Sequence, residues 1–311
     1  MKWRSLLGIV LVFLMVGSLT LAASGETWKF AVVYPIVHPF FNETTRGAQD
    51  AAKEFGVEVE ILGPDTADIG KQVAIVEGLI AKKIDGIGLG VLDPTALTPY
   101  INTAMEKGIP VVTFDTDAPQ SNRLCFIGTN NVEAGKHAAR VAIDILQKKY
   151  GSPKGKICIS MGVPTQLNLN QRLEGFKEVI AQYPEVQIVD IQTGYGDPEK
   201  TTANIENMVT AHPDMDLLFG VDAQAGPSAV VVWKARGLKI PIVTFDDLPD
   251  IIAGVRQGII TTTIVQRQYN WGYLIVESLV KAKKGKPLPV NMDTGTIAVT
   301  AENVNTYYPE K

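Results

Sequence analysis

From residue 28 to residue 283, apolar runs of strand length alternate with amphipathic runs of helix length. This is the signature of repeated strand-helix-strand units, and it predicts an α/β fold built on parallel sheets. In the first half the pattern predicts strands at Phe30–Tyr34, Val57–Leu62, Gly86–Val91, Pro110–Asp115 and Leu124–Gly128. In the second half it predicts them at Lys156–Met161, Val186–Gln192, Leu217–Val221, Pro241–Phe245 and Thr261–Val265. Gly56 and Gly108 follow helical patterns, while Pro94 and Pro198 sit in first turns behind Asp93 and Asp197, as helix stops and starts do. A helix over Tyr269–Lys283, a strand over Thr294–Val299 and a capping-type Thr300–Asn303 exceed what two simple halves need. Crossovers between two lobes account for the surplus and put a hinge near Thr129–Asn131, Thr263–Gln266 and Pro289–Asp293.

One phrase occurs twice. Ile109-Pro-Val-Val-Thr-Phe-Asp115 returns as Ile240-Pro-Ile-Val-Thr-Phe-Asp246, 131 residues on (246 − 115). Each copy ends a β-branched run in an aspartate and then a turn, which leaves a carboxylate at the carboxyl end of a strand. In open parallel sheets ligands bind at that edge. Two such halves face to face bring Asp115 and Asp246 to one cleft from opposite walls.

The chain has 311 residues and 46% hydrophobic content, enough for two full cores. Its net charge is −4, and no Lys/Arg stripe is interleaved with aromatics, so the electrostatic footprint of a nucleic-acid binder is missing. Residues 1–25 read as a cleaved signal peptide: Lys2 and Arg4 precede an apolar run from Leu6 to Leu21, and small residues follow at Ala22 and Ala23. The alternative is a retained membrane anchor, which needs about 20 apolar residues. The two cysteines, Cys125 and Cys158, lie in apolar strand-like segments far from the leader. They are expected to be buried free thiols, and a lipid-modified N-terminal cysteine is excluded. The location expected is a periplasm-like space.

The first strand-to-helix junction, Tyr34-Pro-Ile-Val-His-Pro-Phe-Phe41, puts His38, Phe40 and Phe41 at the ligand edge. A flat ring packs well on the C–H face of a sugar while polar groups take its hydroxyls. One of Phe40 and Phe41 is expected in the core and the other at the ligand, since adjacent helical residues diverge. Asp115 and Asp246 offer charge-assisted hydrogen bonds to hydroxyls; Asp222 and Gln266 end strands at the same edge. The three histidines are scattered, without zinc-like spacing, so neither a metal site nor a cofactor is expected. Gly86-Ile-Gly-Leu-Gly90 fails the dinucleotide-loop spacing and reads as a glycine-rich strand end, and neither a P-loop nor a G-x-S-x-G elbow is present. Catalysis is not expected.

Several landmarks together resemble the periplasmic sugar-binding proteins of the ribose, galactose and xylose type, receptors for ABC importers. They are His38-Pro-Phe-Phe41, Asp93-Pro94, Ile109 through Asp115, Ile127-Gly-Thr-Asn-Asn131, Arg172-Leu-Glu-Gly-Phe176, Ala211-His-Pro213, Phe245-Asp246 and Gln266. The resemblance implies two Rossmann-like lobes joined by a three-strand hinge: 26–129 plus 267–290, and 130–266 plus 291–311. It implies ligand contacts from His38, Phe40, Phe41, Asp115, Asn170, Asp222, Phe245, Asp246 and Gln266. Thr116 and Asn170 stand where ribose binders carry arginines. The combination of His38-Pro-Phe-Phe41, Asp115-Thr-Asp-Ala-Pro119, Asn168-Leu-Asn-Gln-Arg172 and Gly220 through Pro227 looks closer to glucose-binding members from thermophilic bacteria, and Asn168 joins the set. The expected ligand is a neutral monosaccharide, glucose ahead of xylose, handed by a monomer to a membrane permease. The alternatives are a receptor for a furanosyl signal or chemotaxis ligand, a regulator lacking its helix-turn-helix, and a secreted sugar-modifying enzyme with paired carboxylates.

Overall fold

The computed structural model describes residues 27–307, so the leader reading lies outside the described residues. Strands β1 (Lys29–Val33), β2 (Glu58–Leu62), β3 (Gly86–Leu89), β4 (Val111–Phe114), β5 (Cys125–Gly128) and β11 (Asn291–Asp293) form one sheet. Strands β6 (Gly155–Met161), β7 (Val186–Thr193), β8 (Leu217–Gly220), β9 (Ile242–Phe245), β10 (Thr262–Val265) and β12 (Ile297–Thr300) form the other. The ten strands expected from the two halves all form, with ends within two residues of the apolar runs. The glycine-rich Gly86–Leu89 is a buried strand, as its spacing implied.

The helices are α1 (Asn42–Phe55), α2 (Ile69–Ala81), α3 (Pro94–Glu106), α4 (Asn131–Tyr150) and α5 (Leu167–Ile180), then α6 (Pro198–Ala211), α7 (Ala225–Arg236), α8 (Pro249–Arg256), α9 (Gln268–Lys283) and α10 (Val304–Tyr307). Their ends follow the sequence signals. Asp93 and Asp197 accept backbone N–H groups at the starts of α3 and α6, and Gly56 closes α1 in the left-handed conformation.

The strand orders are β11-β5-β4-β3-β1-β2 and β12-β10-β9-β8-β6-β7, so the repeated phrases, β4 and β9, take the same third place in each sheet. Among the described strands all pairings are parallel except β10 with β12. Because side chains alternate along a strand, Phe30 and Val32 face a core under α1 and α9, while Ala31 and Val33 face a second under α2 and α3. The other sheet is covered the same way by α4 and α5 on one side and α6, α7 and α8 on the other. Burial on both faces is what makes parallel strands read as continuous apolar runs. Cys125 and Cys158 are free and buried.

Each lobe borrows a helix. α4 follows β5 of the first sheet but packs on the second, and α9 follows β10 of the second but packs on the first. The chain therefore crosses at Thr129–Asn130, at Gln266–Arg267 and between β11 and β12. The first crossing coincides with the expected hinge segment and the second with its end. The third falls at 294–296, after the expected Pro289–Asp293, because Asn291–Asp293 pairs with β5 in the first sheet. That polar triplet has no strand-like alternation, and the Asp293–Gly295 turn delays the last strand to Ile297.

The borrowed helices lie unusually close to their partners. A Cβ at Gly47 would fall on the carbonyl oxygen of Tyr269, and one at Gly272 on that of Thr44. In the other lobe, a Cβ at Gly135 would fall on the Arg172 carbonyl and one at Gly175 on that of Val132. Backbone that touches backbone cannot yield as a side chain does. Gly272→Ala is therefore expected to destabilise the protein by about 1–3 kcal/mol. Gly78→Ala, in exposed helix with open space around it, is expected to stabilise it by up to about 1 kcal/mol. Denaturant melts of both variants check this; equal effects would exclude close helix crossing as the cause.

Candidate functional site

Between the two sheets, at the carboxyl ends of their strands, lies a cavity of about 90 Å³. The turn after β1 supplies its aromatic wall. His38 caps a short 3-10 turn, its Nδ1 accepting from the Phe40 N–H at 3.2 Å. Phe41 stacks on Tyr34 with centroids 4.4 Å apart, and Phe40 meets Trp271 edge-on at 5.7 Å. Burial pushes the Tyr34 hydroxyl up to about 12, and it pairs with Thr45 Oγ1 at 2.7 Å. Burial also lowers the pKa of His38, against an opposing hydrogen bond from Gln224 of the other lobe. The expected division of labour between the two phenylalanines does not hold. Both line the cavity and both pack in the core, since the tight turn sets their rings edge to face, 4.8 Å apart, on one wall.

The two repeat aspartates share an unusual backbone. Asp115 has φ 61° and Asp246 φ 74°, in the left-handed region that non-glycine residues seldom enter and that Asp tolerates better than most. Thr116 N–H donates to the Phe114 carbonyl at 2.7 Å, so Asp115 is the middle residue of a three-residue turn. The Asp115 N–H still donates to Ile127 of β5 and the Asp246 N–H to Ile264 of β10. The neighbouring strands thus hold both residues in the strained form and turn their carboxylates into the cavity. Asp222, after β8, accepts from the Ala225 N–H at 3.2 Å and lies against Gly162, where any Cβ would fall on its Oδ2.

Arg172 enters the cavity from α5. It is 2% exposed; its Nε donates to Asn131 Oδ1 at 2.9 Å and its Nη1 to the Val221 carbonyl at 3.1 Å. The guanidinium lies over the Phe245 ring, 4.2 Å from its centroid. Among the described residues, Nη2 has no hydrogen-bond partner. Three carboxylates, Asp115, Asp222 and Asp246, act on this one cation. Polar bonds also cross the cleft: Asn168 Nδ2 donates to Asp115 Oδ1 at 3.2 Å, its N–H to Thr116 Oγ1 at 3.4 Å, and Thr165 Oγ1 to the Leu92 carbonyl at 3.2 Å. Gln72 braces the first lobe's loops from below, donating to Tyr34 and Gly90 and accepting from the Leu92 N–H.

Comparison with known proteins fits this geometry. The profile of the periplasmic binding protein domain matches residues 30–287. The chain belongs to the periplasmic binding protein family. Among curated relatives, the ribose import binding protein RbsB of Bacillus subtilis is 27% identical over 266 residues, 85% of each chain. A solved solute-binding protein of an ABC transporter from Burkholderia graminis, in complex with D-arabinose, is 33% identical with a TM-score of 0.86, covering 91% of this chain and 98% of that one. GanP, a glucose-galactose binding protein from Geobacillus stearothermophilus, is 30% identical with a TM-score of 0.84, covering 90% and 99%.

Within this periplasmic binding protein fold, His38, Phe40, Phe41, Asp115, Asn168, Asp222, Asp246 and Gln266 all line the cavity. Asn170 does not. Its Nδ2 donates to the Pro164 and Gln166 carbonyls, because residues four apart share a helix face and residues two apart do not. Asn168 and Arg172 therefore point in, and Asn170 points out. Phe245 is also withdrawn from the cavity: strand alternation turns it into the core, where it supports Arg172 instead. Gln166, Arg172 and Gln224 line the cavity without having been singled out as ligands in the sequence. The helical spacing from Asn168 would have found Arg172. Among the described residues, no group of three or more His, Cys, Asp or Glu is placed to hold a metal ion.

Burial raises the carboxyl pKa values from 3.8, to about 6 for Asp115 and Asp222 and about 7 for Asp246, while Arg172 pulls all three down. These three carboxyls thus hold more protons in the folded protein than in the unfolded chain between about pH 4 and pH 7, and their contribution to stability falls as pH rises through that window. Asp246→Asn removes one such ionisation. Its melting temperature is expected to gain on wild type by several degrees from pH 4 to pH 8, at about 2–4 °C per kcal/mol for chains of this order of size. A pH-independent difference in calorimetric melts would refute the assignment to Asp246.

Proposed function

We propose that this protein is the periplasmic receptor of an ABC importer for a neutral monosaccharide, an aldohexose such as glucose ahead of a pentose such as xylose. One observation carries the reading. A buried guanidinium, one of whose N–H groups has no partner among the described residues, and three buried carboxylates line one cavity together with an aromatic wall. A sugar ring satisfies all three elements: its hydroxyls donate to Asp115, Asp222 and Asp246, an oxygen accepts from Arg172 Nη2, and a C–H face lies on the rings. An unpaired buried donor costs about 1–3 kcal/mol, which such an oxygen would offset.

Charge supports the neutral class. With all groups ionised, three carboxylates outnumber the single guanidinium, so an anionic sugar acid or phosphate would add to an existing excess of negative charge. Thr116 and Asn170 contribute no cation, and among the described residues Arg172 is the one Lys or Arg that lines the cavity. The names borne by the similar proteins, covering ribose, D-arabinose and glucose-galactose, support a sugar and leave a range of them. Binding without turnover is the proposed mechanism. The sugar enters an open form and shifts it towards the closed one by its greater affinity there, and the closed pair of lobes is what a permease recognises. A monomer exported by a cleaved leader completes the reading.

A thermal-shift screen of the mature protein against neutral monosaccharides tests it. A sugar at about a hundred times its Kd adds about 2.7 kcal/mol of stability, so a rise of about 5 °C or more is expected for at least one aldohexose or pentose. Calorimetry should show binding without turnover, and Asp246→Ala should weaken it by at least about tenfold through loss of a charge-assisted bond. No shift with any neutral sugar would reject the reading, and consumption of the sugar would favour an enzyme.

A further inference from the structure

A single run of hydrogen bonds leaves the cavity at its cation and returns at its anion. Arg172 Nε donates to Asn131 Oδ1 at 2.9 Å, and Asn131 Nδ2 donates to the Thr129 carbonyl at 2.9 Å. Thr129 Oγ1 donates to Gln266 Oε1 at 2.9 Å, and Gln266 Nε2 donates to Asp246 Oδ1 at 2.7 Å. All five side chains are at least 97% buried. Thr129 sits where the chain first crosses between the lobes and Gln266 where it crosses back, so the Thr129–Gln266 bond joins two hinge strands. It also fixes the amide of Gln266, because an oxygen that accepts from Thr129 leaves the nitrogen to donate to Asp246.

We propose that Thr129 and Asn131 are positioning residues of the binding site: they orient Gln266 on Asp246 and hold Arg172, so the hinge crossings and the ligand-facing groups are set by one network. Neither residue needs to touch ligand. Thr129 lines a separate surface depression behind the hinge, and Asn131 lies under Arg172. The inference rests on the sugar-receptor reading for its affinity readout alone.

The test uses Thr129→Val, which removes the hydroxyl and keeps the shape, and Thr129→Ser, which restores it. With the monosaccharide that stabilises wild type, Thr129→Val should bind about tenfold more weakly, since Gln266 loses its fixed orientation. Thr129→Ser should stay within about threefold of wild type. A second readout needs no ligand: the titration of the Asp246 carboxyl carbon followed by NMR. Asp246 is faced by Gln266, Arg172 of α5, the adjacent Asp247 and Asp115 across the cleft, and losing the Gln266 donor should move its midpoint upward. A merely structural role for Thr129 would lower the melting temperature without moving that midpoint. An unmoved midpoint in Thr129→Val, or a change that Thr129→Ser does not reverse, overturns the proposal. If no sugar binds wild type, the receptor reading fails by itself and the ligand-free titration still decides on the network.

Discussion

Everything at the cleft is organised around one buried guanidinium. Arg172 keeps its charge while almost wholly buried, so its surroundings have to compensate it. They do so with a side-chain oxygen on α4, a strand-end carbonyl, an aromatic face and three carboxylates that share it. These partners come from four places, α4 and the carboxyl ends of β4, β8 and β9, and the cation therefore dictates how closely those elements meet. The glycines of the α4–α5 crossing make the same point from the backbone side. Only without a Cβ at position 135 does α4 come near enough for Asn131 to reach the arginine.

The two lobes are copies with one difference that turns a repeat into a hinged molecule. Strand for strand their sheets agree, down to the left-handed aspartate that ends the third strand of each. They diverge at the edge, where β11 runs parallel to β5 and β12 antiparallel to β10. Through that edge the chain crosses a third time, and the crossing is bonded to the first: Thr294 N–H donates to the Gly128 carbonyl at 2.7 Å, and Asn130 N–H to Asp293 Oδ1 at 3.0 Å. Three strands tied side by side bend together about one axis, whereas three independent linkers would let the lobes wander.

Much of this was legible in the sequence, because parallel strands buried on both faces announce themselves as apolar runs and because the duplicated phrase marked equivalent strand ends. Asp115 and Asp246 could be found from the repeat alone. Asn170 and Phe245 mislead for a common reason: a motif gives neighbourhood, while only the period of the element gives direction. On a helix the period of 3.6 joins Asn168 to Arg172 and excludes Asn170; on a strand the period of two sends Phe245 inward and Asp246 out. The third crossing was displaced because Asn291-Met-Asp293 has no alternation to read, its pairing being set by β5. The network through Thr129 and Asn131 joins positions up to 137 residues apart, and no local pattern encodes it.

The left-handed turn at the two repeat aspartates also limits how such a receptor diversifies. A β-branched or bulky residue at either position would add about 1–2 kcal/mol of backbone strain, so few side chains other than Asp, Asn and Gly are open to drift or selection there. Asn168 and Gln224 stand on ordinary right-handed backbone and Gln166 on extended backbone, free to vary one step at a time. Descendants of this chain would keep the pair of acids as a fixed frame and acquire new sugar preferences through the amides around it.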